Sequence, residues 1–160
     1  MKSIYLILTV LFMNTALAQQ QATTLYFIRH AEKTDASKDP DLSAAGKERA
    51  EKWAAFFGNK DVAAIYSTPY KRTTETAKPL AQKGGLEIIS YDPLKPNLND
   101  IVQKHKGKTV VIVGHSNTIP KYVNQLAGAN TYQDIDESEY DHLYTIIIQG
   151  NKVTHRVEKI

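Results

Sequence analysis

The sequence predicts an α/β protein with a mostly parallel central sheet, helices on both faces of that sheet and a C-terminal hairpin. From Thr23 onward, short apolar runs rich in β-branched residues alternate with longer amphipathic segments. Near the end of the chain, two strand-like runs at 142–149 and 152–159 flank Gly150-Asn151. A Gly-Asn pair between two such runs is typical of a hairpin turn.

The predicted elements follow one another along the chain. Strands are expected at 24–28, 63–66, 86–91 and 109–113, and helices at 44–57, 69–81, 98–106 and after residue 115. Ser43 is expected to cap the first helix. Thr68 is expected to cap the second helix, with Pro69 at its first position.

The N-terminus has the composition of a secretory signal peptide. Lys2 precedes an apolar run at 4–13, and Ala16-Leu17-Ala18 follows it. This pattern predicts a signal peptide over 1–18, cleaved after Ala18, and a periplasmic or secreted protein. The run is shorter than the roughly 20 residues needed to span a bilayer, so no membrane anchor is expected after cleavage. Residues 19–160 are expected to form a single domain.

The composition of the chain argues against several classes of function. The sequence contains no cysteine, so neither disulfides nor thiolate chemistry is expected. The net charge is +3 and the basic residues are scattered, which argues against a nucleic-acid partner. The acidic loop with Asp35, Asp39 and Asp41 lacks the Gly and Glu of a calcium loop. It is therefore predicted to be solvated, and no metal is expected.

Three polar clusters follow three of the predicted strands. They occupy 29–33, 67–72 and 114–117. Open α/β sheets place their sites at the carboxyl ends of the strands, so these clusters are expected to share one crevice.

The clusters have the composition of a phosphoryl-transfer site. Arg29 and Arg72 would hold phosphate oxygens, because guanidinium groups bind them in a bidentate manner. His30 is expected to be exposed in the crevice, unprotonated beside these cations, and able to act as a nucleophile. His115 would donate to the phosphoryl group, and Asn117 is a further candidate for phosphate binding. This chemistry requires no cofactor.

These residues also have purely structural explanations. Arg29-His30, taken alone, could be a surface turn after a strand. His115 could be a core histidine, Ser116-Asn117 a helix cap, and Arg72 a solvated side chain. The remaining histidines, which are isolated among polar or strand residues, are interpreted as structural: His105, His142 and His155.

Four segments in order resemble the histidine phosphatase superfamily, which includes cofactor-dependent phosphoglycerate mutases and small phosphohistidine phosphatases. The similar segments are 25–33, 41–46, 67–77 and 113–117. The resemblance implies a three-layer αβα sandwich in which His30 is the phosphorylated nucleophile. It also implies that Arg29, Arg72 and His115 complete the phosphate pocket.

The proton donor of the reaction is not evident. Members of this family with a clear donor carry a Glu shortly after a D-P-x-L-type segment, and the corresponding residues 92–97 contain none. Asp92 and Glu32 are the candidate acids, although Asp92 could simply form the turn before Pro93. The short stretch between Arg72 and His115 leaves little room for a lid, which argues against mutase chemistry.

The leading functional hypothesis is an exported phosphatase that hydrolyses small phosphomonoesters through a phosphohistidine on His30. A phosphohistidine phosphatase is the first alternative, favoured by the small size and the missing Glu but opposed by the signal peptide. A non-catalytic module that binds phosphorylated ligands is the second. It is opposed by the two histidines, which simple anion binding does not require.

Overall fold

The central feature of the computed structural model, which describes residues 21–160, is a six-stranded sheet. The predicted signal peptide lies outside the described residues. The strands are β1 (Thr23–Arg29), β2 (Val62–Ser67), β3 (Ile88–Ser90), β4 (Thr109–Gly114), β5 (His142–Gln149) and β6 (Lys152–Lys159). Their spatial order is β3-β2-β4-β1-β5-β6, in which β1 to β4 pair in parallel. The predicted hairpin, β5 and β6, adds two antiparallel strands beside β1.

Four helices cover the two faces of the sheet. They are α1 (Ala44–Phe57), α2 (Lys71–Gly84), α3 (Leu98–Lys104) and α4 (Thr118–Ala127). On one face, residues of α1 and α2 such as Trp53 and Leu80 pack with Ile65 and Val113 of the sheet. On the other face, α3 and α4 pack against the remaining strand residues. The three-layer αβα prediction is confirmed.

The strand order brings the three predicted clusters together. Arg29 at the end of β1 lies opposite Gly114 of β4, and Ser67 of β2 lies opposite Val113. The His30 amide donates to the Gly114 carbonyl at 2.9 Å. A Cβ at Gly114 would lie 2.7 Å from Ile119 Cδ1, so glycine permits this close approach of α4 to the strand end.

The boundaries differ from the sequence prediction mainly at α2. The prediction that Thr68 caps this helix and Pro69 occupies its first position is wrong. Tyr70 is the N-cap and α2 begins at Lys71. The Thr68 hydroxyl instead hydrogen-bonds Thr73 and His115, so it faces the predicted site and cannot also cap the helix.

Other boundaries are close to those expected. Ser43 caps α1 and accepts a hydrogen bond from the Gly46 amide, as predicted. β3 and α3 are shorter than the predicted 86–91 and 98–106. Within residues 21–160, no helix has the length and apolar character needed to cross a membrane.

Candidate active site

His30 lies at the floor of a cavity of about 500 Å³ at the carboxyl edge of the sheet. It is only 3% exposed, so the prediction that its side chain is exposed is wrong. Its Nδ1 lies 2.8 Å from the Ala31 carbonyl oxygen. A carbonyl oxygen can only accept, so Nδ1 carries the proton and Nε2 keeps its lone pair. Burial lowers the pKa of His30 to about 3, with contributions from Arg29, His115 and Arg72.

His115 lies beside His30, at a distance of 5.6 Å between the ring centroids. Its Nδ1 is 3.4 Å from Arg72 Nη2, and its Nε2 is 3.0 Å from Thr68 Oγ1. Arginine can only donate, so Nδ1 accepts and Nε2 is the protonated nitrogen. The single N–H of His115 is thus donated to Thr68 and not, as predicted, to a group in the cavity. Burial, followed by the charge of Arg72, lowers the pKa of His115 to about 4. Both imidazoles are therefore neutral at pH 7.

Arg72 lines the cavity from the first turn of α2. Its guanidinium carbon lies 4.6 Å from the centre of the Tyr70 ring, and its Nη1 is 3.8 Å from Asp39 Oδ1. One turn later, Thr76 donates to the Arg72 carbonyl and accepts from the Ala31 amide. Thr76 thus ties the chain after His30 to the helix that carries Arg72.

Arg29, a predicted phosphate ligand, is 1% exposed and is not among the residues that line the cavity. Its Nη1 donates to the backbone carbonyls of Asp136, Glu137 and Glu139, and its Nη2 donates to Glu137 Oε2 at 2.7 Å. Its guanidinium carbon also lies 4.2 Å from the centre of the Tyr140 ring. One buried cation therefore holds residues 136–140, hereafter the 136–140 segment, against the site.

The 136–140 segment contributes a residue that sequence reasoning missed. Glu137 lines the cavity, and its Oε1 accepts a hydrogen bond from Ser116 Oγ at 2.6 Å. Lys33, Asp134 and Ile135 also line it. The irregular stretch between α4 and β5 offers no periodic pattern, so nothing in the sequence indicates a contact with Arg29 more than 100 residues away.

Neither candidate acid is among the residues that line the cavity. Glu32 Oε1 accepts from Arg49 Nε and Nη2 at 2.8 and 2.7 Å. Burial raises the pKa of Glu32, but the hydrogen bonds and charge of Arg49 outweigh it and lower this pKa below the usual value. Asp92 Oδ1 accepts from the Leu94 amide at 2.8 Å, as expected for a turn former. Its side chain lines a neighbouring cleft beside Tyr70.

The other predicted residues divide between the cavity and the scaffold. Asn117 lines the cavity, but it makes no side-chain cap on α4, although it occupies the N-cap position. His105 pairs with Tyr66, and His155 pairs with Tyr132. His142 lies beside the Glu139 and Asp141 carboxylates.

The acidic loop is exposed, as predicted, and two of its carboxylates pair with residues at the start of α2. Asp39 accepts from the Lys71 amide and lies near Arg72, and Asp41 pairs with the Lys71 ammonium. The loop therefore contacts the start of α2. Across residues 21–160 there is no group of three or more His, Asp or Glu side chains arranged to hold a metal ion.

The fold and the cavity define an α/β protein with two neutral histidines and two arginines at the carboxyl edge of its sheet. A model of the histidine phosphatase superfamily, branch 1, matches residues 25–96. A phosphoserine phosphatase of Hydrogenobacter thermophilus is 37% identical over 75 residues, which cover 42% of this chain and 36% of that protein. The matched region is thus about a third of this curated relative.

Solved structures share the fold more widely. A phosphoserine phosphatase from Entamoeba histolytica has a TM-score of 0.70 at 17% identity, covering 86% of this chain and 98% of that chain. A mycobacterial glucosyl-3-phosphoglycerate phosphatase has a TM-score of 0.69 at 14% identity, covering 87% and 98%. Residues 25–96 thus match the histidine phosphatase superfamily, and the described fold is shared with these solved phosphatases.

Proposed function

We propose that this protein is a metal-independent phosphatase that transfers a phosphoryl group from a small phosphomonoester to His30 and then to water. The observation that carries this proposal is the hydrogen bond from His30 Nδ1 to the Ala31 carbonyl. It fixes the tautomer in which Nε2 is unprotonated, and the imidazole borders the same cavity as Arg72 and His115.

The reaction follows from these groups. The His30 Nε2 lone pair forms a bond to phosphorus as the bond from phosphorus to the ester oxygen breaks, and the leaving oxygen takes a proton from solvent water. Water then attacks the phosphohistidine, which releases inorganic phosphate and restores neutral His30. Arg72 stabilises the equatorial oxygens, where charge accumulates in the transition state.

The similar proteins support a small phosphorylated substrate. The names of two of them specify phosphoserine and glucosyl-3-phosphoglycerate phosphatases. The apolar run before Ala18 supports export of the protein to the periplasm or the medium.

One observation favours phosphohistidine or another activated phosphate as the substrate. Asp92 and Glu32 both lie outside the set of residues that line the cavity. A leaving group that departs readily needs little help from a general acid, whereas an alkoxide depends on one.

A phosphoenzyme-trapping experiment tests the proposed function. The protein is mixed with a ³²P-labelled phosphomonoester and quenched in alkali, in which a phosphohistidine is stable. We expect a labelled protein whose label is lost in acid and is absent from His30→Ala. His155→Ala, which alters a histidine outside the cavity, serves as the control and should keep the label. Retention of turnover by His30→Ala would exclude His30 as the nucleophile.

A further inference from the structure

The cavity contains two carboxylates in addition to the cations that suit a phosphate. Asp134 and Glu137 line it together with Lys33 and Arg72. Repulsion between carboxylates and a phosphate weakens binding, so their presence needs a physical reason. We infer that the cavity selects phosphoesters whose leaving group carries a positive charge, as an ammonium group does. This inference rests on the proposed function and adds a substrate class to it.

The two carboxylates lie where a leaving group would be. His30 is 3% exposed at the floor, and its Nε2 has no hydrogen-bond partner among the described residues. The Glu137 side chain is 70% exposed, so it lies at the mouth. In-line transfer places the leaving oxygen on the face of phosphorus away from the attacking nitrogen. The leaving group therefore points away from the floor and toward the mouth.

Glu137 is held in place as a carboxylate. Its two oxygens accept from Ser116 and from the buried Arg29. The Ser116 hydrogen bond lowers the pKa of Glu137, as do the charges of Arg29 and Lys33. Its position and its charge are thus fixed before any ligand binds.

Asp134 adds a charge that the protein leaves uncompensated. Within residues 21–160, no hydrogen bond or ion pair engages its carboxylate, and its side chain is exposed at the cavity. A cation on the ligand would be its first close partner.

Charge balance favours the same substrate class. Among the residues that line the cavity, the positive charges of Lys33 and Arg72 are balanced by the negative charges of Asp134 and Glu137. A phosphate dianion with an uncharged leaving group adds two negative charges to this site. An ammonium on the leaving group offsets one of them.

The exposure of these two carboxylates sets the expected size of the preference for a leaving group with an ammonium. An exposed ion pair changes an equilibrium by up to about five-fold. Two such pairs predict a preference on the order of ten-fold at low ionic strength. The preference should decrease as salt is added, because salt screens exposed charges.

Two esters of matched size test the inference. 2-Aminoethyl phosphate and propyl phosphate have the same number of non-hydrogen atoms and differ in the terminal ammonium. Their dissociation constants are measured by calorimetry on His30→Ala, which is expected not to consume them. We expect the aminoethyl ester to bind about ten-fold more tightly. Equal affinities, or tighter binding of propyl phosphate, would overturn the inference.

A second substitution, made in the His30→Ala variant, tests whether Asp134 causes the preference for the aminoethyl ester. His30→Ala/Asp134→Asn should reduce the preference several-fold, since it removes a carboxylate that has no hydrogen bond or ion pair with the described residues. His30→Ala/Glu139→Gln is the matched control, because the Glu139 carboxylate pairs with Lys159 and lies outside the cavity. The control should retain the full preference. An unchanged preference in the Asp134→Asn variant would remove Asp134 from the inference.

The binding measurement is independent of turnover by the protein with His30 intact. If no ester is hydrolysed, the proposed function fails, while the ratio of dissociation constants still decides the inference. If His30→Ala does not fold, His30→Asn replaces it in both arms of the measurement.

Discussion

The imidazole rings of His30 and His115 lie edge to face, with their centroids 5.6 Å apart, and each has a pKa far below that of a free histidine. Burial is the main cause in both cases, and the neighbouring arginines add to it. With both imidazoles neutral, His30 keeps an unprotonated Nε2 as a nucleophile, while His115 accepts from Arg72 and donates its N–H to Thr68.

The pKa of His30 is about 3 in the folded protein and near 6.5 in an unfolded chain. The free energy of unfolding should therefore decrease as the pH is lowered. Above pH 6.5, His30 is neutral in both states and does not reduce the stability of the fold. Below pH 6.5, the unfolded state binds a proton that the folded state does not. At pH 5 this difference should destabilise the fold by on the order of 2 kcal/mol. Denaturant unfolding at pH 7 and pH 5 measures it. His30→Ala should lose less stability over this interval than wild type, and equal losses would contradict the low pKa.

Replacing Arg72 with lysine should be nearly as damaging as replacing it with alanine. A point-charge ammonium cannot reproduce a planar fork on two phosphate oxygens. We expect kcat/KM to fall by about 10²-fold or more in Arg72→Lys. Lys71→Ala removes the neighbouring cation, which pairs with Asp41, and should stay within a few-fold of wild type. Wild-type rates for Arg72→Lys would identify Arg72 as a scaffold residue.

Asp92→Asn and Glu32→Gln should not distinguish between good and poor leaving groups. A general acid contributes roughly 10²–10⁴-fold for an alkyl phosphate and little for p-nitrophenyl phosphate. Neither side chain is among the cavity residues, so each substitution should change the ratio of kcat/KM for the two esters by less than about three-fold. A selective loss on the alkyl ester in one variant would identify that residue as the acid.

Glu32→Gln should instead reduce stability. Its carboxylate accepts three hydrogen bonds from Arg49. These bonds connect the chain that follows β1 to helix α1. Loss of hydrogen bonds to a charged partner should lower the free energy of unfolding by about 2 kcal/mol. Urea unfolding of Glu32→Gln, Arg49→Gln and the double variant tests this, since the two single losses should not add. Strict additivity would show that the pair is not coupled.

Gly46→Ala should disturb both the fold and the site. A Cβ at Gly46 would lie 2.2 Å from the backbone oxygen of Glu32, and a backbone atom cannot move aside as a side-chain tip can. We expect a loss of about 2–3 kcal/mol in unfolding free energy. Turnover should fall as well, because Glu32 follows His30 by two residues. The exposed Gly128→Ala lacks such a clash and serves as a partial control, although its φ of 63° adds strain of its own.

Much of this arrangement could be predicted because it depends on local sequence patterns. The apolar runs located β1, β2 and β4, and parallel pairing then placed His30, Arg72 and His115 at one edge. The surroundings of these residues could not be predicted in the same way. Glu32 pairs with Arg49 because of the rotation of α1, which caps and periodicity do not specify.

The contacts of Arg29 with residues more than 100 positions away could not be predicted from local sequence patterns either. The polarity of Arg29 suggested a ligand for phosphate, but its Nη atoms also hold the 136–140 segment. That segment lies in an irregular stretch between α4 and β5, where there is no side-chain periodicity from which its contacts could be predicted.

The pairing of β1 with β4 has a consequence for how the protein matures. Thr24 pairs with Thr109, and β5 then pairs on the other side of β1. Closing such large loops is slow, because their entropy is lost before the contacts form. His30 and Arg72 come together with His115 and Glu137 only after these loops have closed. Nucleophilic competence should therefore appear late in folding and all at once, when the second half of the chain completes the sheet.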